Sequence, residues 1–383
     1  RDYFFLKLGK LTFKNKNLVI IQRIYNLEEI LIMEISNQKS GDGSTNLKAG
    51  RDIVVNAGNS VALYSIEEVA KQLLGSVFGE LPDDTKKQIE TNQKSYFQAL
   101  SENLGKIVKQ NDDLQKVISS PDFQFISKTA TITASRSSSA ELHKNLSSLI
   151  TQRINNDDED LKRIVYDEAI STISKLTVDQ LKIISLCYLL KYTSYGGIVS
   201  WEAYKKYLDT HIKPFLGFKN TNAEFQHIEY AGCGSIGIGS WDVINIHKQQ
   251  YSFLFLNLTE KEQIDVLTLS DEIKKEIVAL DPKEDKYFIR FKNKTDLENY
   301  LKEKKIDEET AKKLISIYES HIKSNDEIKN KIAEETGAGK ELVELWEKSN
   351  IKHLSLTSVG IAIGASYFEQ ITGEKIDIGI WIN

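Results

Sequence analysis

Only two cysteines, four prolines and one methionine occur in the 383 residues of this chain. The two thiols, Cys187 and Cys233, are too few for a disulfide framework and point to a reducing compartment. Cys187 sits in an apolar run at 181–190 and reads as a buried core thiol. No apolar run approaches the roughly 20 residues that cross a bilayer. The longest in the body of the chain, 181–190 and 359–365, have the length of core helices, and no secretory signal follows Met33. A cytoplasmic protein without a membrane partner is therefore expected. The six histidines, at 143, 211, 227, 247, 321 and 353, show no HxH or HxxxH spacing, which argues against a zinc site. A net charge of −5 gives no general attraction for phosphate backbones and weighs against nucleic acid. Hydrophobic residues at 40% and charged residues at 27% exclude wholesale disorder, and the length suits two or three domains.

What is present is distributed unevenly. The single methionine, Met33, follows a 1–32 segment carrying six basic and three acidic residues. Leu27-Glu-Glu29 can be encoded with a GAGGAG core, the form of a bacterial ribosome-binding site, so 1–32 is read as translated leader and Met33 as the start. Directly after it comes a Gly/Asn/Asp-rich block at 37–61, in which Gly41, Gly50 and Gly58 recur at spacings of nine and eight. Gly and Asn supply the positive φ that tight turns need, so the block predicts a short β-prone arm at 33–61. Its candidate assembly residues are Gly41, Asp42, Ser44, Asn46, Gly50, Asp52, Ile53 and Gly58. Short units of this kind can stack or add a strand to a partner.

From Tyr64 onward the period becomes helical. Ser65 and Glu68 form a capping box ahead of Ile66, Val69, Leu73, Leu74 and Val77. Pro82-Asp-Asp84 and Ser120-Pro-Asp122 open further helices. The Ser/Thr-rich stretch 127–139 is compatible with loop or helix. Leu142, Leu146, Leu149, Ile150 and Ile154 form one apolar stripe, and Leu161, Ile164, Val165, Ile170 and Ile173 another. Thr177 should cap a helix over 178–191 that is apolar on most faces and central to the core. Gly196-Gly197 breaks it, Trp201 and Tyr204 begin another helix, and Pro214 ends that one. Charge-dense 258–335 predicts solvated helices with one strand at Tyr287–Phe291, and 376–382 reads as a closing strand. The expected fold is mainly α: a helical array with the β-prone arm and a small α+β C-terminal region. The domains expected are a core over 62–256 and a C-terminal domain over 257–383.

No catalytic constellation, metal set or cofactor motif stands out. Gly234-Ser-Ile-Gly-Ile-Gly239 matches neither a dinucleotide fingerprint nor a phosphate loop, and Gly337-Ala-Gly-Lys340 lacks the leading Gly and the Ser/Thr after the lysine. Gly232, Cys233, Gly234 and Gly237 are instead read as a structural or functional turn. Cys233 with His227 or His247 is the only candidate nucleophile. Gly360-xxx-Gly364 permits a close helix contact, and Leu354-Ser-Leu-Thr357 leading to Gly360 has the look of a winged-helix closing turn without a dense basic face.

Gly41-Asp-Gly-Ser44, Asn46, Gly50-Arg-Asp-Ile53, Leu176-Thr-Val-Asp-Gln-Leu181, Ala231-Gly-Cys-Gly-Ser235 and Leu356-Thr-Ser-Val-Gly360 through Trp381 carry a resemblance. On these residues the chain resembles an uncharacterised family of bacterial proteins known by locus tags, over nearly all of 33–383. The family carries over no activity. Its opening motif is similar to short N-terminal motifs on bacterial defence and cell-death proteins, which implies assembly or signalling. The leading expectation is a non-enzymatic interaction or effector protein, related to phage defence, that self-associates or pairs with a protein partner. A nucleic-acid-binding regulator and an enzyme centred on Cys233 are the alternatives.

Overall fold

The computed structural model describes residues 81–105, 111–156 and 160–382. The 1–32 leader, the arm with Gly41, Asp42, Ser44, Asn46, Gly50, Asp52, Ile53 and Gly58, and the helix beginning at Ser65 lie outside those residues. The fold is mainly α, with sixteen α-helices and two two-stranded antiparallel sheets among the described residues.

Local chemistry sets the helix starts. Helix α1 (Asp83–Leu104) follows Pro82 and carries Asp83 and Asp84 in its first turn, where carboxylates complement the helix dipole. After α2 (Asn111–Ser119), Ser120 caps α3 (Pro121–Ser135) by accepting from the Phe123 amide, and Ser139 caps α4 (Ala140–Asn155) through the Leu142 amide. The Ser/Thr-rich stretch is helical through Ser135. Its buried hydroxyls bond back one turn, Thr131 Oγ1 to the Ser127 carbonyl at 2.9 Å and Ser135 Oγ to the Thr131 carbonyl at 2.7 Å. Helix α5 (Asp160–Thr172) leads to a reciprocal Thr177–Gln180 capping box at the start of α6 (Val178–Tyr192).

Helix α7 (Trp201–Tyr207) continues through a π turn at Leu208–Ile212 and a 3-10 turn at Lys213–Phe215, where Pro214 stops it. Then come α8 (Asn222–Tyr230), β1 (Gly234–Ile236), α9 (Val243–Gln250), α10 (Lys261–Asp265) and α11 (Asp271–Ile277). The hairpin β2 (Val278–Asp281) and β3 (Lys286–Ile289) precedes α12 (Lys294–Glu303) and α13 (Glu308–Ser320). The chain ends with α14 (Asn325–Glu335), α15 (Gly339–Lys348), β4 (Leu354–Leu356) and α16 (Ser358–Thr372).

Helices α4, α6 and α16 are buried on nearly every side, from His143 to Ile154, Gln180 to Leu190 and Gly360 to Phe368. Helix α16 packs along α6 on one flank and against α4 and α5 on the other. Glycine makes the first contact close. A methyl on Gly364 would sit 3.1 Å from Tyr188 Cβ and 3.2 Å from the Ile184 carbonyl oxygen, and Ser185 Oγ donates to the Gly364 carbonyl at 3.1 Å. Fully buried Arg153 of α4 joins three helices, donating to Asp167 on α5 at 2.7 Å and Asp122 on α3 at 2.8 Å. Burial still raises the Asp167 carboxyl, with Arg153 pulling the other way.

A second, smaller hydrophobic cluster gathers Ile264, Ile277, Val278, Ile289, Leu297, Leu301, Leu314 and Tyr318. The chain enters and leaves this unit through an antiparallel bridge, with the Asn257 amide on the His321 carbonyl and the Lys323 amide on the Phe255 carbonyl, both at 2.8 Å. Its charged faces are solvated, with Lys312–Glu308 and Lys313–Glu309 pairs at 2.6 Å on exposed side chains, where such pairs contribute little. The buried residues of α14, α15 and α16 belong to the main cluster together with those of α1 to α9.

Two local expectations change. The 376–382 end is not a strand: Asp377 accepts from the Gly379 amide and starts a 3-10 turn at Ile378–Trp381. A short Asp-to-Gly contact is satisfied locally, and among the described residues no strand pairs with this end. Leu161 and Ile164 are half exposed, at 54% and 51%, so the α5 stripe is narrower than the spacing implied and runs through Val165, Tyr166, Ala169, Ile170 and Ile173.

Substituting Ala for a helical Gly ordinarily stabilises by about 1 kcal/mol. Gly360→Ala should do the reverse here, because its methyl would lie 1.9 Å from the Cys233 carbonyl oxygen. A loss of about 2 kcal/mol is expected from such overpacking, read as a lower urea midpoint of the full chain.

Candidate functional site

The Gly-rich turn at 232–239 is built against a segment more than a hundred residues away. Helix α8 ends at Tyr230, and Gly232 takes φ +77°, the left-handed conformation that reverses the chain. The Cys233 amide donates back to the Ile228 carbonyl at 3.1 Å. Thr357 then fastens the turn twice: its amide donates to the Cys233 carbonyl at 3.1 Å and its hydroxyl to the Gly232 carbonyl at 2.7 Å. Thr357 Oγ1 also accepts from the Gly360 amide as the N-cap of α16. Strand β1 pairs with β4 in the register Gly234–Leu356, Ser235–Ser355 and Ile236–Leu354. Gly234 has no room for a methyl, which would meet Leu354 at 2.7 Å and the Ser355 carbonyl oxygen at 2.8 Å. The strand-Thr-helix order of 354–360 is present, but among the described residues β4 pairs with β1 alone, over three residues.

The 237–241 loop beyond β1 is held along its backbone. The Gly237 amide donates to the His353 carbonyl at 3.0 Å and the Trp241 amide to the Lys352 carbonyl at 2.9 Å. The Trp346 indole N–H donates to the Trp241 carbonyl at 2.7 Å, and the His353 ring meets the Gly239 carbonyl at 2.9 Å. Beneath them Lys191, in the last turn of α6, places its ammonium on three carbonyls: Ile351 at 2.9 Å, Lys352 at 3.1 Å and Leu354 at 2.7 Å. The same ammonium lies 5.5 Å from the centre of the Trp346 ring. While its backbone is pinned, the loop turns Ile238 outward at 104% exposure and Trp241 at 52%, and Tyr230 at the end of α8 is 83% exposed.

The cysteines have a different character. Cys233 is fully buried, and burial pushes its thiol up to about 12, with Lys175 opposing weakly. Cys187 is also pushed up to about 12 by burial, and its thiol donates to the Leu354 carbonyl at 3.4 Å. Thiols held so high are protonated at neutral pH. The two histidines considered with Cys233 are engaged elsewhere. His227 shares a hydrogen bond with Gln180 and stacks on Tyr230. His247 is buried between Tyr204 and Tyr251, and burial pulls it down to about 4. The 337–340 turn is also closed, because a methyl on Gly339 would lie 2.1 Å from the Ile332 carbonyl oxygen.

Gly232 and Cys233 therefore form the turn, Gly234 begins β1 and Gly237 opens the loop beyond it, all held against the 353–360 segment. The spacing of glycines revealed the turn; it did not reveal Lys191, Trp346 or His353 beneath it. Isoleucine at 238 and tryptophan at 241 flanking Gly239-Ser240 were the available sign of outward apolar side chains. Among the described residues, no group of three or more His, Cys, Asp or Glu is placed to hold a metal, and no helix is long and apolar enough to cross a membrane.

A protein-family model whose description reads only ":-like" matches residues 61–382, and the chain belongs to that family. The motifs at 176–181, 231–235 and 356–381 fall within the match, and the 41–53 motif precedes it. No curated protein and no solved structure matches the chain.

His247 gives the site region a pH signature. The unfolded chain takes up a proton near pH 6.5, whereas the folded ring stays neutral down to about 4. Its contribution is complete above the unfolded value and is lost as pH falls from about 6.5 towards about 4, by roughly 3 kcal/mol at the lower limit. Urea midpoints should fall through that window, and His247→Phe should flatten the decline.

Proposed function

We propose that this protein is a non-enzymatic interaction or effector protein of the bacterial cytosol that works by holding a protein partner or a second copy of itself. The supporting observation is the 229–241 segment: a backbone fixed by hydrogen bonds to 352–357 that presents Tyr230, Ile238 and Trp241 to solvent. Aromatic side chains on a preorganised frame lose little entropy on contact and are the residue types that dominate protein interfaces. A catalytic loop has a different requirement, an activated nucleophile or a base of matched acidity, and the buried cysteines beside this segment lack it.

The N-terminal motif belongs to the same proposal. Gly41, Asp42, Ser44, Asn46, Gly50, Asp52, Ile53 and Gly58 form an arm that adds a strand to a partner or to another arm, and its resemblance to motifs on defence and cell-death proteins supports a role in phage defence. Assembly by this arm joins copies, while the pinned loop supplies apolar anchors.

Light-scattering mass tests the reading on the full chain, on 62–383 and on full-length Ile238→Asp, at several concentrations. The full chain should form a concentration-dependent assembly or retain a co-purifying protein. Removing the arm should collapse the assembly, and Ile238→Asp should weaken it at least tenfold. A monomeric mass at every concentration with no bound protein contradicts the proposal.

A further inference from the structure

Three helices end at one place on the face formed by α1, α4, α5 and α16. Helix α1 brings Asn103, one residue from its end; α4 brings Asn155 and its cap Asn156; α16 brings Gly373, its left-handed C-cap at φ +75°. Those ends line a hollow of about 180 Å³, and beside it, against the end of α4, lies a cavity of about 430 Å³, within the roughly 300–1,000 Å³ range of small-molecule sites. The cavity is lined by Gln152, Asn155, Asn156, Tyr166 and residues 375–378, and the smaller hollow shares Gln152, Asn155 and Lys375 with it.

Helix C-termini carry partial negative charge and favour cations. Two carboxylates reinforce that sign here. Glu369 lines the smaller hollow, accepting from Gln152 at 3.0 Å and Ser148 at 3.3 Å, and Asp377 lines the larger. Both carboxylates act on Tyr166, whose phenol is raised first by burial and then by Asp377 and Glu369. Tyr166 is 4% exposed and lines the cavity. Gln152 is likewise buried, at 8% exposure, and lines both hollows. Lys375 is the cationic side chain that lines both hollows, and the buried Lys162 ammonium lies behind them beside Gly379, close to Asp377. Ile376 and Ile378 add an apolar wall.

We propose that this trough is a binding site for a small zwitterionic amine of the amino-acid class. The ligand ammonium meets Asp377, Glu369 and the carboxamide oxygens of Asn155 and Asn156. Its carboxylate meets Lys375, and an uncharged side chain lies along Ile376 and Ile378. The lysine is what separates this ligand from a diamine, since a second positive charge would face Lys375, whereas a carboxylate is paired there. Tyr166 and Gln152 supply fixed hydrogen-bonding groups that select a polar ligand over a plain aliphatic acid.

Calorimetric titration of the full chain with the twenty common L-amino acids at low ionic strength tests the assignment, with putrescine and N-acetylated amino acids as comparison probes. One or more free amino acids with an uncharged side chain should bind. N-acetylation should abolish binding, and Lys375→Met and Tyr166→Phe should each weaken it about tenfold or more. Both variants should keep the parental urea midpoint to within a small shift, because Lys375 is exposed and Phe preserves the packing of Tyr166. Absence of binding by all twenty would overturn the proposal. So would binding that Lys375→Met leaves unchanged, or putrescine binding at least as tight as the best amino acid.

Discussion

The approach of α16 to backbone carbonyls on two neighbours is the constraint from which the rest of the structure follows. Gly364 lets it lie against the Ile184 carbonyl of α6, and Gly360 lets its first turn close onto the Cys233 carbonyl. A side chain at either position would push the helix outward, and the interior leaves little room for such a shift. The first contact seats α16 in the centre of the helical array. The second seats the turn after α8, so a single helix fixes both the core and the segment that carries Tyr230, Ile238 and Trp241.

Buried polar groups then specify how the elements meet. Arg153 unites α3, α4 and α5 through two carboxylates, and Ser366 of α16 donates to Asn145 of α4. Lys191 gathers three carbonyls of the 351–354 segment. Removing one partner from such arrangements leaves charge or dipole buried without compensation, which costs more than the intact contact contributes. The outer surface of the 261–320 unit is different: its ion pairs are solvated and exchange readily with water. Specificity therefore lies in the interior, and the small unit carries its charge outward around its own apolar cluster.

Features with a local cause were legible in the sequence. Ser120 and Thr177 mark helix starts because a cap is chemistry within three residues, and α6 reads as central because it is apolar on most faces. The Gly232–Gly237 turn was legible as a turn for the same reason. Features with a distant cause were hidden. Lys and Glu interleaved with Leu and Ile describe α13 and α14 equally well, yet one joins the small cluster and the other the main core. Periodicity identifies an apolar face without naming what covers it. The partner of Gly234 is Leu356, and nothing near either residue announces the pairing. The trough at Tyr166 was equally invisible, because its lining comes from helix ends far apart in the chain. The 41–58 motif lies outside the described residues, and its role rests on the sequence.

A pinned backbone beneath outward apolar side chains is what separates a preorganised interaction surface from an ordinary flexible loop. Native-state hydrogen exchange on the full chain measures that difference at the amides of Gly237 and Trp241, which donate to the His353 and Lys352 carbonyls. Both amides should exchange as slowly as those inside α16. Exchange at the rate of unprotected loop amides would contradict it.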